Sequence, residues 1–217
     1  MTFNPTSPLG ILGGTFDPIH NGHLGPVQEA AQRIGLSGVT LLPCHIPPHR
    51  ATPSVSAEQR LEMARLACLD WPFFSVDDRE LRRDTPSYTV DTLHQLRAES
   101  AQRPLCFFIG MDSWLSFDQW VRWQEILTLC HLVVCQRPGY PEKPSNALQE
   151  ALSQRQTEHP SALLERPCGH IFFAPSTRVD ISATTLRQRL AAGEDAKTWL
   201  PARVLNYIQQ HHLYGID

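Results

Sequence analysis

A chain of 217 residues, 41% hydrophobic and 19% charged, has the size and composition of an ordinary globular protein able to bury a sizeable core. A net charge of −3 and the absence of any basic run exclude an electrostatic footprint for long nucleic acids. No apolar run approaches the roughly 18 residues of a membrane span. Met1 to Pro8 lacks the basic and apolar regions of a signal peptide, so the expected setting is cytoplasmic, with no membrane partner.

Leu9 to Leu12 is a short apolar run long enough for a strand. It leads into Gly13-Gly14-Thr15-Phe16-Asp17-Pro18-Ile19-His20-Asn21-Gly22-His23-Leu24, after which Leu24, Val27, Ala30, Ala31 and Ile34 recur at helical spacing. The stretch therefore predicts a strand, a glycine turn and the start of a helix, whose unpaired N–H groups and dipole suit a phosphate. Glycine at 13 and 14 leaves room for a ligand to approach the backbone. His20 and His23, three apart, project to one side and add two imidazoles. A zinc site using Asp17 as third ligand is the other reading of His-x-x-His, but helical zinc pairs use a spacing of four.

Val39 to Pro43 predicts a second strand, which completes a βαβ unit and so a parallel sheet. The loop Cys44-His45-Ile46-Pro47-Pro48-His49-Arg50 follows the carboxyl end of that strand, where open parallel sheets bind ligands. Ser56 to Leu69 predicts a helix with a Ser56–Gln59 capping box, and Phe73 to Val76 a third strand. Asp77 to Asp84 reads as a solvated loop, and Tyr88 to Glu99 as a helix. Leu105 to Ile109 is the most apolar strand. It ends at Gly110 and Asp112, a carboxylate placed to meet a ribose hydroxyl or a metal, or to cap the next helix. Phe117, Trp120 and Trp123 form either core or a stacking wall. Leu132 to Cys135 and Ile171 to Ala174 predict two further strands, with a helix over Ala147 to Leu152 in an otherwise uninformative stretch from 140 to 170. The helix beginning near Ser182 brings hydroxyls, free amides and Arg187 together as a second anion site. Pro201 to His212 predicts a final amphipathic helix with proline at its first position. The six cysteines are scattered without a C-x-x-C pair and read as structural rather than as disulfides.

Neither the P-loop nor the Gly-x-Gly-x-x-Gly pattern is present, and no Ser or Cys sits in a nucleophile setting. Direct attack of one phosphate on the α-phosphate of a nucleoside triphosphate fits two anion sites of this kind.

The segments Gly13-Gly14-Thr15-Phe16-Asp17-Pro18 and His20-Asn21-Gly22-His23 resemble the signature of the nucleotidylyltransferase superfamily with the His-x-Gly-His motif. With Pro47-Pro48-His49-Arg50, Pro86-Ser87-Tyr88-Thr89 and the Trp120 region, the chain resembles the bacterial nicotinate-nucleotide adenylyltransferases from about Leu9 to Arg187 and into the tail. One departure is Ala183, where many members carry a second Ser; Thr184 keeps a hydroxyl nearby. The resemblance implies an α/β, Rossmann-like fold with an open parallel sheet flanked by helices, in a single domain spanning 1–217 whose residues 175–217 form a helical carboxyl-terminal part. It implies adenylyl transfer from ATP to nicotinate mononucleotide, giving deamido-NAD and pyrophosphate, with Mg²⁺ carried on the ATP phosphates rather than in a protein metal site. It makes His20, His23 and Arg187 catalytic. It puts ATP on Gly13, Gly14, Thr15, Phe16, His20, His23, Gly110, Asp112, Ile181, Ser182, Thr184 and Arg187. It puts the mononucleotide on Thr15, Phe16, His45, Arg50, Ser87, Tyr88, Thr89 and Trp120. Acceptors such as nicotinamide mononucleotide or phosphopantetheine, and a nucleotide sensor without catalysis, are the alternatives; oligomeric state is not legible.

Overall fold

The computed structural model describes residues 7–47, 52–136, 144–177 and 181–216. In chain order its elements are β1 (Leu9–Gly14), α1 (Asn21–Ile34), β2 (Val39–Pro43), α2 (Ala57–Asp70), β3 (Phe74–Val76), α3 (Thr89–Glu99), β4 (Leu105–Gly110), α4 (Met111–Leu115), α5 (Trp123–Leu129) and β5 (His131–Gln136). They continue with α6 (Asn146–Arg155), α7 (Ala162–Glu165), β6 (Ile171–Pro175), α8 (Ala183–Ala191) and α9 (Ala202–Gln210). The strands form one sheet in the order β3-β2-β1-β4-β5-β6, with helices interleaved along the chain. β1 pairs with β4, β4 with β5 and β5 with β6, all parallel, as the βαβ reading requires. Strand order reverses between β1 and β4, the kind of switch point where open α/β sheets take ligands.

The chain divides into two compact units. The first comprises Met1–Gly13, Val27–Val39 and Tyr88–Thr177. Its centre is β4 and β5, where Leu105 to Ile109 and Leu132 to Cys135 are buried as the near-continuous apolar runs of a two-sided parallel sheet must be. Trp114 and Phe117 stack at 6.1 Å inside the same core. Arg97 gathers the surrounding loops by donating to the carbonyls of Leu129, Ala101, Arg103 and Pro167.

The second unit comprises Gly14–Pro26, Thr40–Ser87 and Arg178–Asp217. Here α2 packs on α9; Leu61, Met63, Ala64 and Ala67 are buried on the first helix and Val204, Leu205 and Ile208 on the second. The capping box at the start of α2 is formed as predicted: Gln59 N donates to Ser56 Oγ at 3.2 Å and Ser56 N to Gln59 Oε1 at 3.0 Å.

Several elements differ from expectation. The segment 77–84 is not merely a solvated loop: Arg79–Arg82 is a 3-10 turn that buries Glu80 against Arg83. Pro201 is the cap before α9 rather than its first residue, because its ψ of 141° is extended. α1 opens at Asn21, earlier than the apolar period suggests, because polar residues fill its first turn. α4 and α5 are too short to show a helical period; α6 covers the helix expected over Ala147 to Leu152, while α7 lies in the stretch that carried little signal.

Candidate active site

Within the second unit, the loop after β1 is held tightly. A Cβ on Gly14 would lie 2.8 Å from the ring of Phe16, so the close approach predicted at this glycine is to the protein's own phenyl ring. Phe16 is buried and has a left-handed φ of 51°, followed by a cis Asp17–Pro18 bond. Gly22 is equally constrained, since a Cβ there would meet Ile181 at 2.9 Å and His20 Nδ1 at 3.0 Å. The glycine between the two histidines is what lets the carboxyl-terminal segment pack against them.

His20 precedes α1 and His23 lies in its first turn, and their rings stack at 3.7 Å. The His20 N–H donates to His23 Nδ1 at 3.3 Å. A backbone amide can only donate, so Nδ1 accepts, and neutral His23 carries its proton on Nε2. Phe16 contacts the His23 ring edge-on at 5.4 Å. The start of α1 itself contributes less than the sequence suggests. Asn21 N–H is taken by the Trp199 carbonyl at 2.8 Å and His23 N–H by the His20 carbonyl at 2.8 Å.

Asp17 ties its own loop to three distant segments, at Ser54, Arg187 and Tyr214. Its Oδ2 accepts from Ser54 N at 2.8 Å and its Oδ1 from the Tyr214 hydroxyl at 2.9 Å. Its backbone carbonyl accepts from Arg187 Nη1 at 2.7 Å, which lies 3.7 Å from Oδ2. Arg187 also reaches Thr184 Oγ1 at 3.4 Å. Ser182 caps α8 by accepting from Thr185 N at 3.1 Å, so that hydroxyl is committed to the helix, while Thr184 is exposed and Ile181 buried.

Arg60 on α2 is 1% exposed and donates to the carbonyls of Thr15 (2.7 Å), Cys44 (2.7 Å) and His45 (3.1 Å). It thereby ties the loop after β1 to the loop after β2. His45 donates its backbone N–H to Ser87 Oγ at 2.9 Å, and its Nδ1 bonds the Arg83 carbonyl at 2.7 Å. The carbonyl must accept, which leaves Nε2 of a neutral His45 as an acceptor. Arg50 lies outside the described residues.

In the first unit, Gly13 ends its share of β1 with Phe107 packed 3.2 Å from where a Cβ would stand. Gly110 caps α4, so Asp112 is not the cap but an exposed residue in the first turn. Of the three aromatics, Phe117 is fully buried and unavailable as a wall. Trp120 is half-buried, edge-on to Phe107 at 6.4 Å and 5.3 Å from Phe117. Tyr88 stands at the cap of α3 without bonding it through its side chain, and Thr89 opens the helix. Among the described residues no three metal-ligating side chains converge, which leaves the His-x-x-His zinc reading without a third ligand there.

Residues 11–189 match the cytidylyltransferase-like family. A protein of Aeromonas salmonicida named "Probable nicotinate-nucleotide adenylyltransferase" is 50% identical over 211 residues, which is 97% of this chain and 99% of the relative. One of the same name from Aeromonas hydrophila is 52% identical over 208 residues, 95% of this chain and 97% of the relative. The chain belongs to the nicotinate-nucleotide adenylyltransferases. Its fold is shared with the Plasmodium falciparum nicotinic acid mononucleotide adenylyltransferase solved with NaAD, at a TM-score of 0.72 and 14% identity over 97% of this chain and 98% of that one. The same enzyme solved with APC gives 0.71 over 98% of each.

Three residues of this family member escaped the sequence reading. Arg60 and Tyr214 had no role in it, and Asp17 stood only within the family signature and as a third ligand of the alternative zinc site. Their partners lie up to 197 residues away, and no local pattern encodes that. A cation at a helix position otherwise surrounded by buried apolar residues was the one available signal, at Arg60.

Proposed function

We propose that His23, His20 and Arg187 receive the phosphates of MgATP and that this site performs the family's reaction. The chain is a nucleotidyltransferase that transfers the adenylyl group of ATP to nicotinate mononucleotide, giving nicotinate adenine dinucleotide and pyrophosphate. A phosphate oxygen of the mononucleotide attacks the α-phosphorus of ATP. The bond from that phosphorus to the bridging oxygen breaks, and pyrophosphate departs with the electron pair. No protein nucleophile takes part, so catalysis consists of positioning the partners and stabilising developing charge. The observation that carries the reading is the stacked imidazole pair, in which the His20 amide fixes His23 as an Nε2–H donor.

Asp17 has both carboxylate oxygens engaged by Ser54 and Tyr214. Magnesium enters with the ATP substrate, carried on its phosphates. Gly13, Gly14, Thr15 and Phe16 on the ATP phosphates, and Gly110 and Asp112 on its adenosine, complete that assignment, with Ile181, Ser182 and Thr184 beside Arg187. His45, Ser87, Tyr88, Thr89 and Trp120 are assigned to the mononucleotide, together with Thr15, Phe16 and Arg50. We assign residues 1–217 to a single nucleotidylyltransferase domain, with 175–217 as its helical carboxyl-terminal part.

The acid is the preferred acceptor. An indole face such as that of Trp120 suits a flat, electron-poor ring, and a helix start favours a carboxylate over a neutral amide. The first amides of α3, at Thr89 and Val90, bond no acceptor among the described residues. A carboxamide would set its own N–H donors against them, at about 1–3 kcal/mol per buried group. The test is pyrophosphate release from ATP with nicotinate mononucleotide, nicotinamide mononucleotide and phosphopantetheine in competition. The expected preference for nicotinate mononucleotide is at least about tenfold. Equal or better use of the amide overturns the pocket reading, and ATP binding without pyrophosphate release under any acceptor supports the sensor alternative instead.

A further inference from the structure

The last turn of the chain has an unusual backbone. His212 (φ 48°) and Tyr214 (φ 61°) both occupy the left-handed region, which L-residues with a Cβ adopt unwillingly, and Gly215 (φ 79°) follows. Such outliers persist where surrounding contacts impose them. The contact at hand is the Tyr214 hydroxyl, which donates to Asp17 Oδ1 at 2.9 Å across 197 residues of sequence. Burial and the neighbouring Asp17 charge push the Tyr214 phenol above its ordinary range, so it stays protonated and remains a donor.

The geometry around Arg187 gives that contact a consequence. A carboxylate beside a guanidinium ordinarily closes to a two-point ion pair at about 2.7–2.9 Å. Asp17 does not: Arg187 Nη1 sits at 2.7 Å on the Asp17 backbone carbonyl and only 3.7 Å from the nearer carboxylate oxygen. Both carboxylate oxygens are instead tied elsewhere, one by Tyr214 and one by the Ser54 amide. We propose that Tyr214 is a positioning residue: with Ser54 it holds the Asp17 carboxylate off Arg187, and so keeps that guanidinium available to substrate phosphate. The proposal rests on the reading of Arg187 as a phosphate ligand. The carboxyl-terminal turn thereby sets the affinity of the phosphate site without touching substrate.

Tyr214→Phe keeps the ring and removes only the donor. The freed carboxylate then competes with phosphate for Arg187. The KM for ATP and the Kd for pyrophosphate are expected to rise about tenfold, the size of one lost charge-assisted contact. The KM for the mononucleotide is expected to change less than about twofold, within ordinary assay variation in free-energy terms. Adding Asp17→Asn to Tyr214→Phe removes the competing charge and is expected to recover most of the ATP affinity, a rescue that a merely structural role would not give. Ser54→Pro, which deletes the other donor, serves as a second variant and is expected to shift the ATP KM in the same direction. A lower melting temperature with unchanged kinetics, or equal loss for both substrates, overturns the proposal. Calorimetric titration with pyrophosphate alone separates this from the reaction itself. A wild-type chain that binds pyrophosphate but turns over no acceptor overturns the function while leaving Tyr214 decidable, and one that binds no pyrophosphate overturns both.

Discussion

One hydrogen bond sets the tautomer of neutral His23. Because the His20 amide occupies Nδ1, the proton of the neutral ring sits on Nε2, and the 3.7 Å stack against His20 limits the ring's freedom to turn. A donor held this way needs little reorganisation when charge develops on a phosphate. His23→Ala should therefore lower turnover by roughly 10²–10³-fold with little change in melting temperature. Steady-state kinetics beside a thermal melt checks this, and near-normal turnover would remove His23 from the mechanism. The pairing of the two rings was legible because the motif is local: spacing alone puts both on one side. What the spacing could not give is the direction of the proton, nor that Asp17 in the same motif faces Ser54, Arg187 and Tyr214.

Elements with their own end signals were readable, and those positioned by distant partners were not. The capping box opening α2 is written in four residues, whereas the same helix carries Arg60, whose role depends on two loops elsewhere in the chain. Among the described residues Arg60 makes no ion pair; three carbonyls answer its charge. This is costly to break, because a buried acceptor that loses its donor keeps its desolvation penalty. Arg60→Met should lower stability by at least about 2 kcal/mol. It should also impair turnover, since the Thr15 and His45 loops lose their shared tie. Arg60→Lys should recover part of the stability, though a single ammonium cannot reproduce a fork that spans three carbonyls. Urea unfolding of the three proteins decides it: a midpoint for Arg60→Met that matches wild type would mean that water or backbone relaxation replaces the clamp.

At the scale of the whole molecule, the parallel sheet was legible because strands buried on both faces read as plain apolar runs. An ionisable group stands at the edge of one of those runs. β5 begins one residue before its apolar run, at His131, which is fully buried. Its Nδ1 accepts from His170 N at 3.1 Å, and its Nε2 bonds the Arg166 carbonyl at 2.8 Å, so both nitrogens are satisfied only when the ring is neutral. Burial is the main cause that lowers its pKa from 6.5 to about 4, and the nearby His170, Arg97 and Arg166 charges lower it further. The sign follows from linkage. Between those two values the unfolded chain binds the proton and the folded chain does not, so stability rises with pH. The contribution is fully present above the unfolded value and is lost as pH falls toward about 4, where it levels off. Its ceiling is roughly 3 kcal/mol. Carboxylates titrate near the acid end of the same window, so the informative quantity is a difference. The stability of wild type minus that of His131→Asn, measured by urea unfolding, should shrink by about 1–3 kcal/mol between neutral pH and pH of about 4.5. A difference that stays flat across that range would mean that the folded protein accommodates a charged His131, and the burial account of this strand would be wrong.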